Sequence, residues 1–301
     1  MKKLVAVAFV VLTAAAASAA TRYQFVTITV PGSVPYSTIP MGINNEYMIA
    51  GYYQDSATFG WHGFTYNLKK RTWAYPIDYP GGAPGSTWAT SINDSSVVGG
   101  FYFPVAGLPY TLSFTDSAGV FSQLDVPCAD GGLNNRLAGI NNTGFTVGNC
   151  FVSSQSYSWV WALGNPAVFN CPATALTSGA AAINNNGQVV GWYTTSPTQG
   201  GAYVAGYGNC GYAVNYPGAI DTELTGVNDS GEAIGWAAAA NAVDHGFFYT
   251  ISSGKFAKIA PPAAAVNGLV TAGMNNSNWF VGWYIDNNYN NNGYFARPVT
   301  Q

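Results

Sequence analysis

Three carboxyls, Asp55, Asp244 and Asp286, are the first residues of this chain to consider for acid–base chemistry. Two carboxyls about 5 to 9.5 Å apart can hydrolyse a glycosidic bond, one supplying a proton and the other acting as nucleophile or base. The three are therefore the catalytic candidates. Near them in the repeat pattern described below stand aromatic and polar residues: Trp61, Trp88, Asp130, Arg136, Asp221, Glu223 and Tyr289. A ring packs on the apolar face of a pyranose while carboxyl, amide and guanidinium groups bond its hydroxyls. Asp55, Trp61, Trp88, Arg136, Asp221, Glu223, Asp286 and Tyr289 thus form the candidate ligand-binding set.

Other chemistry is poorly supplied. The sequence has no GxSxG elbow, P-loop, HExxH helix or dinucleotide fingerprint, so nucleophile-and-base catalysis has no visible residues. His62 and His245, the only histidines, share a repeat slot with Tyr110 and Tyr157. That company implies aromatic packing or hydrogen bonding between repeats, and no metal site or cofactor is expected. Asp78 and Asp125 fall on expected edge strands, where charge limits strand-to-strand aggregation.

The elements that must position these residues come from a sixfold repeat. Ile43-Asn44-Asn45 recurs as Ile92-Asn93-Asp94, Ile140-Asn141-Asn142, Ile183-Asn184-Asn185, Val227-Asn228-Asp229 and Met274-Asn275-Asn276, at intervals of 43 to 49 residues. Six or seven residues after each apolar member comes an apolar-Gly pair, from Ala50-Gly51 to Val281-Gly282, with Val98-Gly99 in the second copy. A segment of alternating aromatics follows, as in His62-Gly63-Phe64-Thr65-Tyr66, and an apolar residue three before a proline closes the unit, as in Ile77 and Pro80. Period-two alternation is the signature of strands. Four short strands, A to D, in units of 40 to 50 residues predict a β-propeller.

The fold expected is therefore all-β, a six-bladed propeller of four-stranded blades over residues 21–301. Its D strands are placed at about 23–31, 72–80, 120–127, 166–172, 211–217 and 255–262. The last unit has A, B and C strands and no room for D, while Tyr23 to Pro31 has a D pattern with nothing before it. The N-terminal strand should complete the last blade and remove its open edge. The Asn pairs read as hairpin turns between A and B, where side-chain oxygens bond nearby backbone and positive φ is tolerated. The A-to-B turns are uniform whereas the B-to-C loops differ, so a site is expected on the face of the B-to-C and D-to-A loops.

Across essentially all of residues 21–301, His62-Gly63-Phe64 and His245-Gly246-Phe247 with the Asn-Asn and Pro-Gly motifs resemble the bacterial extracellular HAF-repeat proteins. Two units keep the histidine, and glycine stands where the family name has alanine. The resemblance implies repeat architecture, and no catalytic motif is carried over from it.

Composition fits an exported body. Met1 to Ala20 has two lysines, an apolar run from Leu4 to Leu12 and the small-residue pattern Ala17-Ser18-Ala19, as a signal peptide does. No later stretch offers 18 uninterrupted apolar residues, so no membrane span is expected. The net charge of −3 arises from 10 basic and 13 acidic residues; without a basic face, nucleic acid is excluded as an expected partner. Export would let Cys128, Cys150, Cys171 and Cys210 form disulfides. Three pairings are open, with Cys128–Cys150 and Cys171–Cys210 as the nearest-neighbour choice. The leading expectation is a secreted, extracellular or periplasmic, monomeric binding protein without catalysis, its partner an extracellular glycan or protein. A carbohydrate-active enzyme, hydrolase or lyase, and a cell-surface or matrix scaffold are the alternatives.

Overall fold

The computed structural model describes residues 22–107, 110–126, 128, 134–152, 155–162, 164–239 and 243–299. The expected signal peptide, Pro127 and Asp130 lie outside them. The described residues form strands and turns, with no helix. After β1 (Tyr23–Thr27) come five four-stranded units: β2 (Ile39–Ile43), β3 (Met48–Gln54), β4 (Trp61–Asn67), β5 (Thr72–Ile77); β6 (Thr87–Ile92), β7 (Val98–Tyr102), β8 (Leu112–Ser117), β9 (Val120–Leu124); β10 (Asn135–Ile140), β11 (Thr146–Val152), β12 (Gln155–Ala162), β13 (Asn165–Phe169); β14 (Thr177–Ile183), β15 (Val189–Ser196), β16 (Gln199–Gly206), β17 (Asn209–Val214); and β18 (Asp221–Val227), β19 (Glu232–Ala238), β20 (Asp244–Thr250), β21 (Lys255–Lys258). The sixth has β22 (Gly268–Met274), β23 (Phe280–Ile285) and β24 (Asn291–Pro298).

Within every unit consecutive strands pair antiparallel. In the sixth, the fourth place is taken by β1, which pairs with β24 from Tyr23 opposite Pro298 to Thr27 opposite Tyr294. A single parallel pair, Asp244 with Gly268, joins units five and six into one eight-stranded sheet. The units follow one another in a circle: β3 meets β6, β7 meets β10, β11 meets β14, β15 meets β18, β19 meets β22, and β23 returns to β2.

Each A strand carries one extra residue at the same place, shifting the register against its B strand. Such a bulge twists the strand and re-aims its side chains. It also explains the repeated glycine. A Cβ added at Gly51, Gly100, Gly148, Gly191, Gly235 or Gly282 would collide with the A-strand carbonyl oxygen of Ile39, Trp88, Arg136, Gly179, Glu223 or Val270. The same Cβ would crowd a fully buried C-strand ring in every unit: Phe64, Phe114, Trp159, Tyr203, Phe247 or Tyr294. The residue in register in unit two is thus Gly100, not Gly99 of the expected Val98-Gly99 pair. Likewise Tyr110 precedes β8, and Leu112, opposite Tyr102, holds the slot of His62, opposite Tyr53.

The core lies between neighbouring sheets. Ile49, Phe64, Ala272 and Val281 pack where unit six meets unit one, and Val190, Ala202, Leu224 and Phe247 where four meets five. Each large side chain fully buried there is worth about 1.5–3 kcal/mol. Disulfides join Cys128 to Cys150 and Cys171 to Cys210, the nearest-neighbour pairing.

The Asn pairs do more than make turns. Asn141 Oδ1 accepts the backbone N–H groups of Thr143 and Phe145, as a turn residue should, and its Nδ2 donates to Asn184 O in the next unit. The same amide link runs from Asn44 to Asn93 O, Asn93 to Asn141 O, Asn184 to Asn228 O and Asn275 to Asn44 O; Asn228 donates to Asn278 Oδ1 instead. In the next position, each backbone N–H of Asn45, Asp94, Asn142, Asn185, Asp229 and Asn276 donates to the Oδ1 of the following member, and Asn276 returns to Asn45. Asp94 Oδ2 takes the side-chain amides of Asn45 and Asn142, and Asp229 Oδ2 those of Asn185 and Asn276. The second set closes as a ring of six bonds, while the first has five such links, with Asn278 taking the sixth.

Candidate functional site

Strand alternation decides which side chains reach the axis of this circle of units. The residue after each register glycine, Tyr52, Phe101, Asn149, Trp192, Trp236 or Trp283, stands opposite Ile39, Trp88, Arg136, Gly179, Glu223 or Val270 on the A strand. Its neighbour glycine faces the sheet interior, so with period two this residue faces the other way. Phe101, Asn149, Trp192, Trp236 and Trp283, with Arg136 and Glu223, line a central cavity of about 310 Å³. Ile43, Ile92, Ile140, Ile183, Val227 and Met274 form its narrow end. The same six apolar residues border a second cavity of about 70 Å³ walled by the Asn and Asp rings.

Beside the cavity an aromatic arc runs through units one and two and reaches the lining at Phe101. Tyr52 meets Trp61 edge-on at 5.7 Å between ring centroids, Trp61 stacks on Trp88 at 6.2 Å, and Trp88 stacks on Phe101 at 5.3 Å. The arc ends on a cation: Arg136 Cζ lies 5.0 Å from the Phe101 centroid and 4.8 Å from that of Phe151. Desolvated contacts of this kind are worth about 2 kcal/mol. Burial lowers the guanidinium pKa while the Tyr52 hydroxyl raises it, and a guanidinium remains charged through such a shift. No carboxylate lies within 4 Å of it among the described residues. Its Nε is buried without a hydrogen-bond partner, as are Asn149 Oδ1, its cross-strand neighbour, and Ser91 Oγ on the adjoining wall.

On the other side stands Glu223. Burial, reinforced by the charge of Asp221 and, more weakly, Asp244, pushes its carboxyl up to about 8 against a hydrogen bond from Trp236 that favours the anion. It is therefore mainly a neutral acid at pH 7 and can donate a hydrogen bond into the cavity. Asp221 and Asp244 are themselves raised, chiefly by burial.

Of the expected binding residues, Arg136 and Glu223 line the central cavity, whereas Trp61 and Trp88 stack beside it and reach its lining only through Phe101. Arg136 and Glu223 line it from strands β10 and β18, not from the loops expected to carry them. Asp55 and Asp286 have different work. Asp55 Oδ1 accepts from the N–H groups of Ala57 and Thr58 and from Thr58 Oγ1. Asp286 Oδ1 accepts from the N–H groups of Asn288 and Asn290, and its Oδ2 from the amides of Asn290 and Asn292. These bonds lower both carboxyls, and each organises its own loop. Tyr289 is a 78%-exposed loop tip with φ of 62° beside Asp286. Asp221 and Asp244 are the first residues of β18 and β20, which flank β19, and their charges act on Glu223. His62 Nδ1 bonds Asp78 Oδ1 at 2.7 Å within unit one, so this histidine braces its own C and D strands rather than a neighbouring unit, and Asp78 is its partner.

The tryptophans at 192, 236 and 283, with Asn149, escaped sequence reasoning. The signal was present: each directly follows the strand-B glycine. It is visible once the six glycines are aligned, but attention to variable loops passes over it.

No family description and no curated protein matches the chain. Solved structures resemble it in chain path. An acylaminoacyl peptidase bound to Z-Gly-Gly-Phe-chloromethyl ketone superposes with a TM-score of 0.51 at 11% identity, over 89% of this chain and 45% of that one. The β-propeller domain of the Trilobed protease from Pyrococcus furiosus gives 0.49 at 10% identity, over 89% and 85%. The Aleuria aurantia lectin in complex with Fucα1-6GlcNAc gives 0.49 at 10%, over 86% and 91%. At such identities the likeness concerns the fold alone.

Proposed function

We propose that this chain is an exported HAF-repeat protein forming a six-bladed β-propeller, its last blade completed by β1, that binds an extracellular glycan without cleaving it. The central cavity is the binding site. The observation that carries this reading is its wall: four aromatic side chains, Phe101, Trp192, Trp236 and Trp283, around a few buried polar groups. Flat apolar faces suit sugar rings, and sparse fixed polar groups suit their hydroxyls. A volume of about 310 Å³ sits at the lower end of the usual range for small-ligand sites, suiting one or two sugar units.

A hydrolase would use the neutral Glu223 as its proton donor. That role needs an ionised partner, whose environment holds its pKa down. Among the described residues that line the cavity, Glu223 is the only carboxyl, and Asp221 and Asp244, whose charges act on it, are not part of the lining. Binding without turnover is the reading this favours.

A glycan array tests it directly. Trp236→Ala and Trp283→Ala should each weaken binding of any captured glycan at least tenfold, about 1.4 kcal/mol, with unchanged far-ultraviolet circular dichroism. An array without a captured glycan, or variants that bind as the parent does, would overturn the proposal.

A further inference from the structure

Among the described residues, six buried polar side-chain atoms have no hydrogen-bond partner, and three of them, Ser91 Oγ, Arg136 Nε and Asn149 Oδ1, belong to residues lining the central cavity. Buried polar groups are ordinarily satisfied, and leaving one unmet costs about 1–3 kcal/mol. Their grouping on one wall, on adjoining units, points to a ligand that meets this wall. Arg136 adds a charge. It is held between two rings, faces no carboxylate within 4 Å among the described residues, and sits where water is limited and Coulomb forces are strong.

Resting on the glycan reading above, we propose that the ligand is an acidic sugar, a uronic acid unit whose carboxylate is held by Arg136. A guanidinium matches a carboxylate in plane and can bond it bidentately. The hydroxyls of the same sugar ring supply donors for Asn149 Oδ1 and either partner for Ser91 Oγ. Glu223, across the cavity, supports this when neutral: a carboxylic acid donates to a sugar hydroxyl, whereas a second anion in the cavity would repel the ligand.

Trigalacturonate, triglucuronate and trimannuronate should be compared with their methyl esters by isothermal titration calorimetry at low and moderate salt. The ester keeps the ring and the linkage and removes only the charge. At least one acid trimer should bind the unmodified protein ten or more times more tightly than its ester, the margin narrowing as salt rises. Arg136→Gln should erase the margin without abolishing stacking affinity, and Arg136→Lys should restore part of it. An ester that binds as well as its acid overturns the uronate assignment and leaves glycan binding standing. Failure of all acids and esters alongside a silent glycan array overturns both. Tight binding of a hexaglutamate peptide with no binding of the trimers would assign the cation to a peptide ligand and overturn the proposal as well. The comparison of acid with ester uses the native chain, so it holds even if a substitution at Arg136 impairs folding.

Discussion

Arg136 and Glu223 occupy the same place on the A strands of units three and five, opposite the residue that follows the glycine. One environment acts on them in opposite ways. Burial penalises both ions, yet a guanidinium has no accessible neutral form at ordinary pH, whereas a carboxyl simply keeps its proton. Two charges in the sequence thus become one in the folded cavity at pH 7. The sign of the stability effect follows. The folded carboxyl titrates near 8 and the unfolded one near its ordinary value of 4.5, so the native state binds more protons between these values. The contribution to stability is whole below about 4.5 and lost as pH rises to about 8. Glu223→Gln should match the parent at pH 4 and exceed its urea-unfolding free energy at pH 8.5 by roughly 2–4 kcal/mol. Asp221 on the same strand and Asp244 and His245 on β20 are present in both proteins, and the variant relieves Asp221 and Asp244 of repulsion by an ionised Glu223, so the difference measures the carboxyl together with its effect on these two. Superimposable stability–pH curves would refute the raised carboxyl.

At the scale of elements, the glycine of strand B is an obligation of the bulge opposite it. Gly235→Ala would drive a Cβ into Glu223 O and the Phe247 ring and should cost about 3 kcal/mol or more in denaturant unfolding, the upper range for overpacking. Gly206→Ala at the end of β16 meets nothing within 4 Å and should change stability by less than about 1 kcal/mol. Equal effects would show that the close carbonyl contact is not what fixes the residue. This contact also marks what the sequence could disclose. Spacing located every D strand and the A-to-B turns, because Asn, Gly and Pro act locally. Each D strand ends three or four residues before its expected bound, since a proline marks the loop beyond the strand and not its last residue. Spacing missed the register of unit two, where Gly99-Gly100 offers two glycines and only the bulge at Thr90 chooses between them. The site was half legible for a related reason. Trp61, Trp88, Arg136 and Glu223 stand out by chemistry, but only the assembled units show that Arg136 and Glu223 line one cavity while Trp61 and Trp88 stack beside it. Asp55 and Asp286 looked catalytic because carboxyls in variable loops resemble site residues; their turn-forming bonds appear only with the backbone in place.

For the whole molecule, the decisive pairing is between strands at opposite ends of the described chain. β1 covers the edge of β24, and its Tyr23 and Phe25 pack on Phe248, Phe280 and Tyr294. Deleting residues 22–30 would expose a strand edge and an apolar face together, a template for intermolecular pairing. Size-exclusion chromatography should show the truncated chain shifting from the parent's peak to larger, concentration-dependent oligomers, reversed by adding a peptide of the deleted sequence. A monodisperse monomer after truncation would show that β1 is dispensable for closing the ring.

The ring made by the second residue of each pair has a further consequence, for how the chain could be divided or rebuilt. Asp94 is flanked by Asn45 and Asn142, and Asp229 by Asn185 and Asn276, each aspartate receiving both neighbouring amides. The order Asn-Asp-Asn repeats after three units, not one. Moving a single unit elsewhere would set an aspartate against another or leave an amide unmatched, whereas exchanging one triplet for the other preserves every donor and acceptor at that level. The smallest interchangeable module of this ring is half of it.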